Sequence, residues 1–392
     1  MGREGSVLKR ILYLQYTQPA GYPSLEHSAA LLADRGWEVL FLGIGAQGSD
    51  RMQMMPHPRV KVLKLPLCAS GVGQKFHYAW FCLWAWSWML LWRPRWLYVS
   101  DPLAAPAAVI IGYWPGLRII YHEHDPVDAV GPKSRAMRWV GGFRSRLTRS
   151  AHTLILPNES RRALFLKEID RPQDTLTVLN CPARKEAEVR RQPVETGRFR
   201  ILYQGSIVPS RLPTALIDAL AALPDRVQLR IIGYETIGST GYVAQLLALA
   251  RARGIDDRVE YLGVLPTRRE LFEAARICDV GLSLMPIKTE RLNEQTMAGA
   301  SNKPFEYLAC GLPLLVSDLP AWTELYVKPG YARSCDPDDP ESITEQLRWF
   351  MDHPMERFQM GETGRQRILT CWNYEKVFQP VVDRMEALAH GV

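Results

Sequence analysis

Residues 301–318, SNKPFEYLACGLPLLVSD, constrain the fold of this chain more than any other stretch. Phe305, Leu308 and Ala309 fall at helical spacing and give one apolar face. Gly311 and Pro313 end that helix, because glycine accepts the left-handed cap and proline cannot continue the turn. Leu312, Leu314, Leu315 and Val316 then form a short run almost without charge, stopped by Ser317, Asp318 and Pro320. Such a run is how a strand reads when both of its faces are buried in a parallel sheet. The expected fold class is therefore α/β.

The same helix opens with Asn302 and Lys303, and Glu306 stands one turn in. A helix N-terminus carries free N–H groups and about half a positive charge, so it attracts anions. A cation there strengthens the site, and a carboxylate on the same turn can accept hydrogen bonds from a sugar diol. The structural alternative is a solvated surface helix with an i, i+3 Lys–Glu pair. Spacing alone does not separate the two.

The rest of the chain repeats one theme. Residues 9–15 read as a strand, 16–23 as a loop with glycine and proline, 25–35 as a helix behind Ser24, and 37–42 as a strand. This is the opening βαβ unit of a Rossmann-like domain, although the loop QPAGYPS lacks the full G-x-G-x-x-G. The theme returns at residues 199–203, a strand, followed by Gln204-Gly205-Ser206, Arg211, a helix over 214–222 and a strand over 227–233. A chain of 392 residues exceeds a usual single core. The polar, unpatterned stretch 183–198 reads as a linker. The predicted division is 1–182, the linker 183–198, 199–365 and a C-terminal helical segment 366–392.

Charge is unevenly shared. Residues 1–180 hold 22 Lys+Arg against 13 Asp+Glu, a balance of +9, whereas residues 181–392 hold 26 against 28. A basic half points to an anionic partner, a membrane surface or a phosphorylated substrate, and no nucleic-acid motif accompanies it. The seven cysteines are scattered without a CxxC, which suggests reduced thiols in a cytosol and no zinc site. The N-terminus shows no signal peptide.

Residues 76–92, FHYAWFCLWAWSWMLLW, contain five tryptophans and no formal charge apart from His77. The run is shorter than the roughly 20 apolar residues of a spanning helix. It reads either as a helix in a membrane interface, where Trp is favoured, or as a core helix under the sheet. The core reading is preferred for most of its length, with the Trp-rich end open to exposure. Arg135, Arg138, Arg144, Arg146 and Arg149 form a basic helical stretch, suited to anionic lipid or simply to solvent. The strand at 118–121 ends in HEHDP, which puts titratable groups where α/β sheets hold ligands. His124 there is either catalytic or a hydrogen-bonded structural residue.

Residues 301–318 resemble the donor-site motif of retaining glycosyltransferases of the GT-B fold, the large family-4 group of nucleotide-sugar enzymes. That motif has two glutamates with seven residues between, then a small-residue helix and a glycine-proline strand. Glu306 matches the second glutamate, and Ala309, Gly311 and Pro313 match the helix and strand after it. The first glutamate's position is Ala298, a departure, while Gly299, Ala300, Ser301 and Asn302 keep the loop-like character. The resemblance implies two Rossmann-like domains facing across a cleft, with a C-terminal helix crossing back to the first.

It also implies roles for particular residues. Glu306 would bind the ribose, and the loop at Ser301 and Asn302 would present backbone N–H groups to the donor sugar. Tyr203, Gly205 and Ser206 resemble the family's Y-x-G-[RS] turn, whose following cation binds the donor diphosphate. Arg211 is that cation, and a guanidinium suits two phosphate oxygens at once. Lys303 would supply the charge that many members carry directly after the glycine. Gly233 and the loop at Val264 and Leu265, which would contact the base, complete the donor side. On the acceptor side the first loop brings Gly21 and Tyr22, and His124 and Asp125 would face the acceptor and the transferring sugar. The resemblance covers nearly the whole chain and is most specific in the second domain.

The expected activity is sugar transfer from a nucleotide-diphosphate sugar, with retention, to a lipid-linked acceptor or a growing surface polysaccharide. No cofactor is expected, and no D-x-D is placed to hold a divalent ion. The expected location is cytoplasmic, at the inner membrane face. Two alternatives stand beside it, a sugar-nucleotide epimerase on the same fold and a non-catalytic sugar-nucleotide or membrane-surface module.

Overall fold

The computed structural model describes residues 9–46, 48–69, 71–126, 134–191 and 197–390. The chain forms two compact units. One comprises residues up to Asp50, Met54–Leu179 and the chain from Phe378 onward; the other comprises Arg51–Gln53 and Asn180–Val377.

The first unit is built on seven strands: β1 (Arg10–Leu14), β2 (Glu38–Ile44), β3 (Val60–Leu65), β4 (Trp96–Ser100), β5 (Arg118–His122), β6 (Thr153–Leu156) and β7 (Thr175–Thr177). They lie in the order β3-β2-β1-β4-β5-β6-β7, every neighbouring pair parallel. The order reverses direction between β1 and β4, so a crevice opens beyond their C-terminal ends. Leu12, Leu14, Leu40, Leu42, Leu97, Val99 and Leu154 from the central strands are buried in one cluster with Phe81, Ala85 and Met89.

Those last three residues lie on the helix Val72–Trp92, which contains the tryptophan-rich run. They stand four residues apart, a single stripe. They are the fully buried side chains of this helix, whereas Phe76 (74 %), Trp80 (58 %) and Leu91 (73 %) are exposed, as are Leu83 and Trp86. The helix is thus a core helix along one side only: Tyr78, Trp84, Trp88 and Trp92 are half-buried against the same cluster, and the outer side is exposed. The helix packs along Ala105–Gly112, which packs along Arg135–Ser150. Among the described residues no helix is long and apolar enough to cross a membrane.

The second unit has six strands: β8 (Phe199–Ile207), β9 (Val227–Glu235), β10 (Val259–Gly263), β11 (Val280–Ser283), β12 (Leu314–Ser317) and β13 (Ala332–Cys335). Their order is β10-β9-β8-β11-β12-β13, again all parallel. The direction reverses between β8 and β11. Residues 314–317 are fully buried, as their uncharged run predicts.

Three local features differ from the sequence reading. Residues 184–188, within the stretch read as linker, form a helix of the second unit, Arg184–Glu188, with Ala187 buried. Its Glu186 side chain caps the Ala183 N–H at 2.8 Å and meets Arg268, partners that local pattern cannot reveal. Residues 192–196 of that stretch lie outside the described residues. The C-terminal helical segment is broken rather than continuous: Pro354–Thr370 ends where buried Asn373 donates to the carbonyls of Ile368 and Leu369. Arg144, grouped with the surface arginines, is buried and donates twice to Glu123, at 2.5 and 2.8 Å, and once to Glu168 at 2.8 Å.

Candidate functional site

In the second unit, Gly205, Ser206, Gly233, Arg211 and Lys303 meet at the C-terminal ends of β8 and β9. Gly205 and Gly233 are register partners on these strands. Gly233 has φ +142°, and a Cβ there would lie 1.8 Å from the Gly205 carbonyl oxygen. Gly205 has φ +105°, and a Cβ there would lie 2.8 Å from Lys303 Cε. Both positions thus require glycine, for backbone conformation and for space. The gap they leave admits the Lys303 side chain, whose Nζ reaches Tyr203 Oη at 3.1 Å and sits 4.6 Å from that ring's centroid. Arg211 Nη1 donates to Ser206 Oγ at 3.1 Å, and its buried Nε has no partner among the described residues.

Lys303 is 8 % exposed. Burial, and then the Arg211 charge, push its pKa well below the usual lysine range, while Glu306 opposes the shift. Among the described residues no carboxylate is in ion-pair contact with either Lys303 or Arg211. Arg211 and the ammonium form of Lys303 would together attract an anion here.

Ser301 is the N-cap of the helix Asn302–Ala309, and its side chain makes no capping hydrogen bond. The buried Oδ1 of Asn302 has no partner among the described residues. Glu306 is nearly inaccessible. Its Oε1 accepts from Arg268 Nη1 at 2.6 Å, and its Oε2 accepts from Gln204 Nε2 at 2.5 Å. Arg268 is in turn shared with Glu186, at 2.7 and 3.1 Å. Arg268 opens the helix that follows the loop of Val264, so this network ties that loop to Glu306.

In the first unit, Gly21 closes the 3-10 turn Pro19–Gly21, and Tyr22 follows it. The Tyr22 ring lies 5.0 Å from the ring of His124, centroid to centroid, and the His122 ring lies 3.8 Å from it. Gly21, Tyr22 and His124 thus come from separate loops to one end of the sheet. Among the described residues the buried His124 Nε2 has no partner. Burial is the main reason that its pKa falls to about 4; Asp125 raises it and Arg161 lowers it. The imidazole is therefore neutral at ordinary pH. His122 donates to or accepts from Tyr98 Oη at 2.8 Å, and Glu123 is held by Arg144, so both are structural partners. The Asp125 side chain is mostly exposed, 3.3 Å from Arg161 Nη1.

Several residues here carry no motif. Asp101, after β4, accepts the His124 backbone N–H at 3.2 Å. It has φ +65° and ψ 158°, a conformation that costs a non-glycine residue about 1–3 kcal/mol. Burial, and then Asp125, raise its carboxyl to about 7. Arg161, from a helix beyond β6, donates to the His124 carbonyl. In the second unit, Gln204 and Arg268 likewise belong to no motif. A polar residue directly before Gly205 was the available signal for Gln204.

Two parallel α/β units, each with its polar groups at a topological switch point, are the architecture of the GT-B fold. The sequence comparisons bear on both. Residues 23–182 match a family described as "Glycosyl transferase 4-like domain", and residues 211–383 match one described as "Glycosyl transferase-like". The chain belongs to the glycosyltransferases of this family-4, group 1 type.

Solved structures agree on the fold. Sucrose-phosphate synthase from Thermosynechococcus elongatus superposes with a TM-score of 0.73 at 14 % identity, over 98 % of this chain and 100 % of that one. Anabaena HepE in complex with UDP and glucose gives 0.71 at 17 %, over 97 % and 100 %. WaaG, a glycosyltransferase involved in lipopolysaccharide biosynthesis, gives 0.64 at 16 %, over 97 % and 100 %. Comparison with curated protein sequences finds no match.

Proposed function

We propose that this glycosyltransferase uses a nucleoside-diphosphate sugar held by the second unit. The observation that carries this reading is the pair Lys303 and Arg211, near enough for the guanidinium to depress the lysine and, among the described residues, with no carboxylate in ion-pair contact with either. A diphosphate supplies the missing charge. As the sugar–phosphate bond breaks, charge collects on the departing diphosphate and the sugar becomes oxocarbenium-like. Fixed cations and the N-terminus of the helix Asn302–Ala309 stabilise that charge without reorganising, in a mechanism that needs no metal. Complexes of HepE with UDP and with UDP-glucose support a donor of this class.

Gly205, Ser206, Gly233, Ser301 and Asn302 line the donor, and Val264 meets the base. Glu306 serves the ribose side through its fixed place beside Arg268 and Gln204. Gly21, Tyr22, His124 and Asp125 serve the acceptor and the transferring sugar, with retention of configuration.

The acceptor is lipid-linked or a growing surface polysaccharide, met at the inner face of a membrane. Support comes from the first unit's exposed aromatic surface. Trp80 and Trp86 on the helix Val72–Trp92, Tyr113 and Trp114 beyond Ala105–Gly112, and Trp139 on Arg135–Ser150 are all exposed on neighbouring helices. Tyr78 and Trp139 are in ring contact at 6.4 Å, which joins two of these helices. Exposed Arg135, Arg138, Arg146 and Arg149 accompany them. Apolar wedge plus basic groups is the composition of a peripheral membrane surface.

The test is a screen of UDP-, GDP- and ADP-sugars by thermal shift, followed by transfer assays with the donor that binds. A ligand of the native state raises the melting temperature. If no nucleotide sugar stabilises the protein, the donor reading fails.

A further inference from the structure

We infer that Glu294 is a specificity-determining residue for the sugar part of the donor, an inference that rests on the donor reading above. Beyond the ends of β11 and β12 lies a cavity of about 730 Å³, within the size range of small-molecule sites. Its walls come from residues 286–290, from Glu294 and Gln295 of the short helix Leu292–Gln295, and from residues 319–322. Pro286, Leu319 and Trp322 give the lining apolar surface, which suits the C–H face of a pyranose.

Glu294 is 8 % exposed, although it lines this cavity. Its Oε2 accepts from Thr289 Oγ1 at 2.5 Å, and its Oε1 accepts from Ser210 Oγ at 3.1 Å. Arg291 stands 3.6 Å from Oε1 and is largely in solvent. An ionised carboxylate offers about four acceptor positions, so the two hydroxyls leave roughly two for a ligand.

The Ser210 contact sets the location. Ser210 directly precedes Arg211, and Arg211 reaches Ser206 beside Gly205 and Lys303. Through Ser210 the cavity wall is tied to the loop that carries Arg211, and a sugar attached to a diphosphate held by Arg211 would reach toward Glu294. Ala298, where the family pattern has a glutamate, contributes no carboxylate. Glu294 stands one helical turn's length earlier in the chain and brings one to the cavity wall. A buried carboxylate that accepts from sugar hydroxyls discriminates between epimers, because a hydroxyl of the wrong orientation leaves it unpaired.

The experiment compares Glu294→Gln and Glu294→Asp with the wild type in binding UDP, GDP and ADP, and the glucose and galactose derivatives of each. Both variants should bind the preferred free diphosphate within about twofold of wild type. Both should lose about tenfold to a hundredfold in affinity for the preferred sugar derivative, and with it the preference between glucose and galactose. Glu294→Asp keeps the charge and carries the test if the Gln variant does not fold. Unchanged sugar preference overturns the inference, since Glu294 would then only tie two loops. A parallel loss for the free diphosphate also overturns it, since the residue would then act through the Arg211 loop. If the wild type binds no nucleotide of either kind, the donor reading itself falls, and this inference with it.

Discussion

Arg268 Nη1 donates to Glu306 Oε1 at 2.6 Å, with both side chains 7 % exposed. The glutamate that the donor motif supplies is therefore one half of a buried ion pair. Removing one partner of such a pair is costly, because the other charge stays buried.

Glu306→Ala is thus expected to lower stability as well as nucleotide affinity. The loss should fall near the lower end of about 3–5 kcal/mol, because Glu186 remains on Arg268. Urea unfolding measures it. A variant as stable as wild type would show that the pair contributes nothing net.

Lys303→Ala and Arg211→Ala should each weaken nucleoside diphosphate about tenfold to a hundredfold, and the bare nucleoside far less. Lys303 adds a pH signature. Its pKa is depressed in the free protein, and an arriving diphosphate favours the ammonium form, so binding takes up a proton. Affinity should therefore fall as pH rises. Calorimetry in buffers of different ionisation enthalpy detects the uptake. Zero uptake in the wild type, at every pH from neutral to mildly alkaline, would contradict it.

Asp101 carries a pH signature of opposite origin. Its folded-state pKa is raised to about 7 from an ordinary value near 4. The stability this group contributes is full below its unfolded pKa and lost as pH rises through about 7. Asp101→Asn keeps the shape and cannot ionise. Its melting temperature should gain on that of wild type between about pH 4 and pH 7. Parallel melting curves across that range would remove Asp101 from the titrating groups.

His124→Ala should reduce transfer more than donor binding, because His124 lies in the first unit, next to Tyr22. Turnover and diphosphate affinity measured on the same preparation separate the two. Near-normal turnover would deny His124 a catalytic role and turn attention to Asp125.

Vesicle co-sedimentation tests the exposed aromatic surface. Binding should require anionic lipid, fall with salt, and weaken by up to about a thousandfold when Arg135, Arg138, Arg146 and Arg149 are neutralised, each contributing about 1 kcal/mol. Arg144 is left out, because it holds Glu123 and Glu168. Protein that stays in the supernatant with anionic vesicles at low salt would refute membrane association and leave the transferase reading standing.

The sequence by itself determined whatever depends on neighbours along the chain. The uncharged run 314–317 is a buried parallel strand because its burial on both faces is written in its composition. The two strand–glycine–helix openings and the place of Lys303 at a helix start come from local backbone rules, whereas the reason for glycine at 205 and 233 shows only where β8, β9 and Lys303 meet. The tertiary structure alone decided which side chains meet. Gln204 and Glu306 are 102 residues apart, Arg268 and Glu186 are 82 apart, and Ser210 and Glu294 are 84 apart. No periodicity encodes such pairs, because each depends on the order in which strands are laid into the sheet. The tryptophan-rich helix shows the limit most directly. A helix apolar on every side reads as buried, and composition cannot say how much of its circumference the protein covers. Packing covers the stripe of Phe81, Ala85 and Met89, and leaves Trp80 and Trp86 exposed.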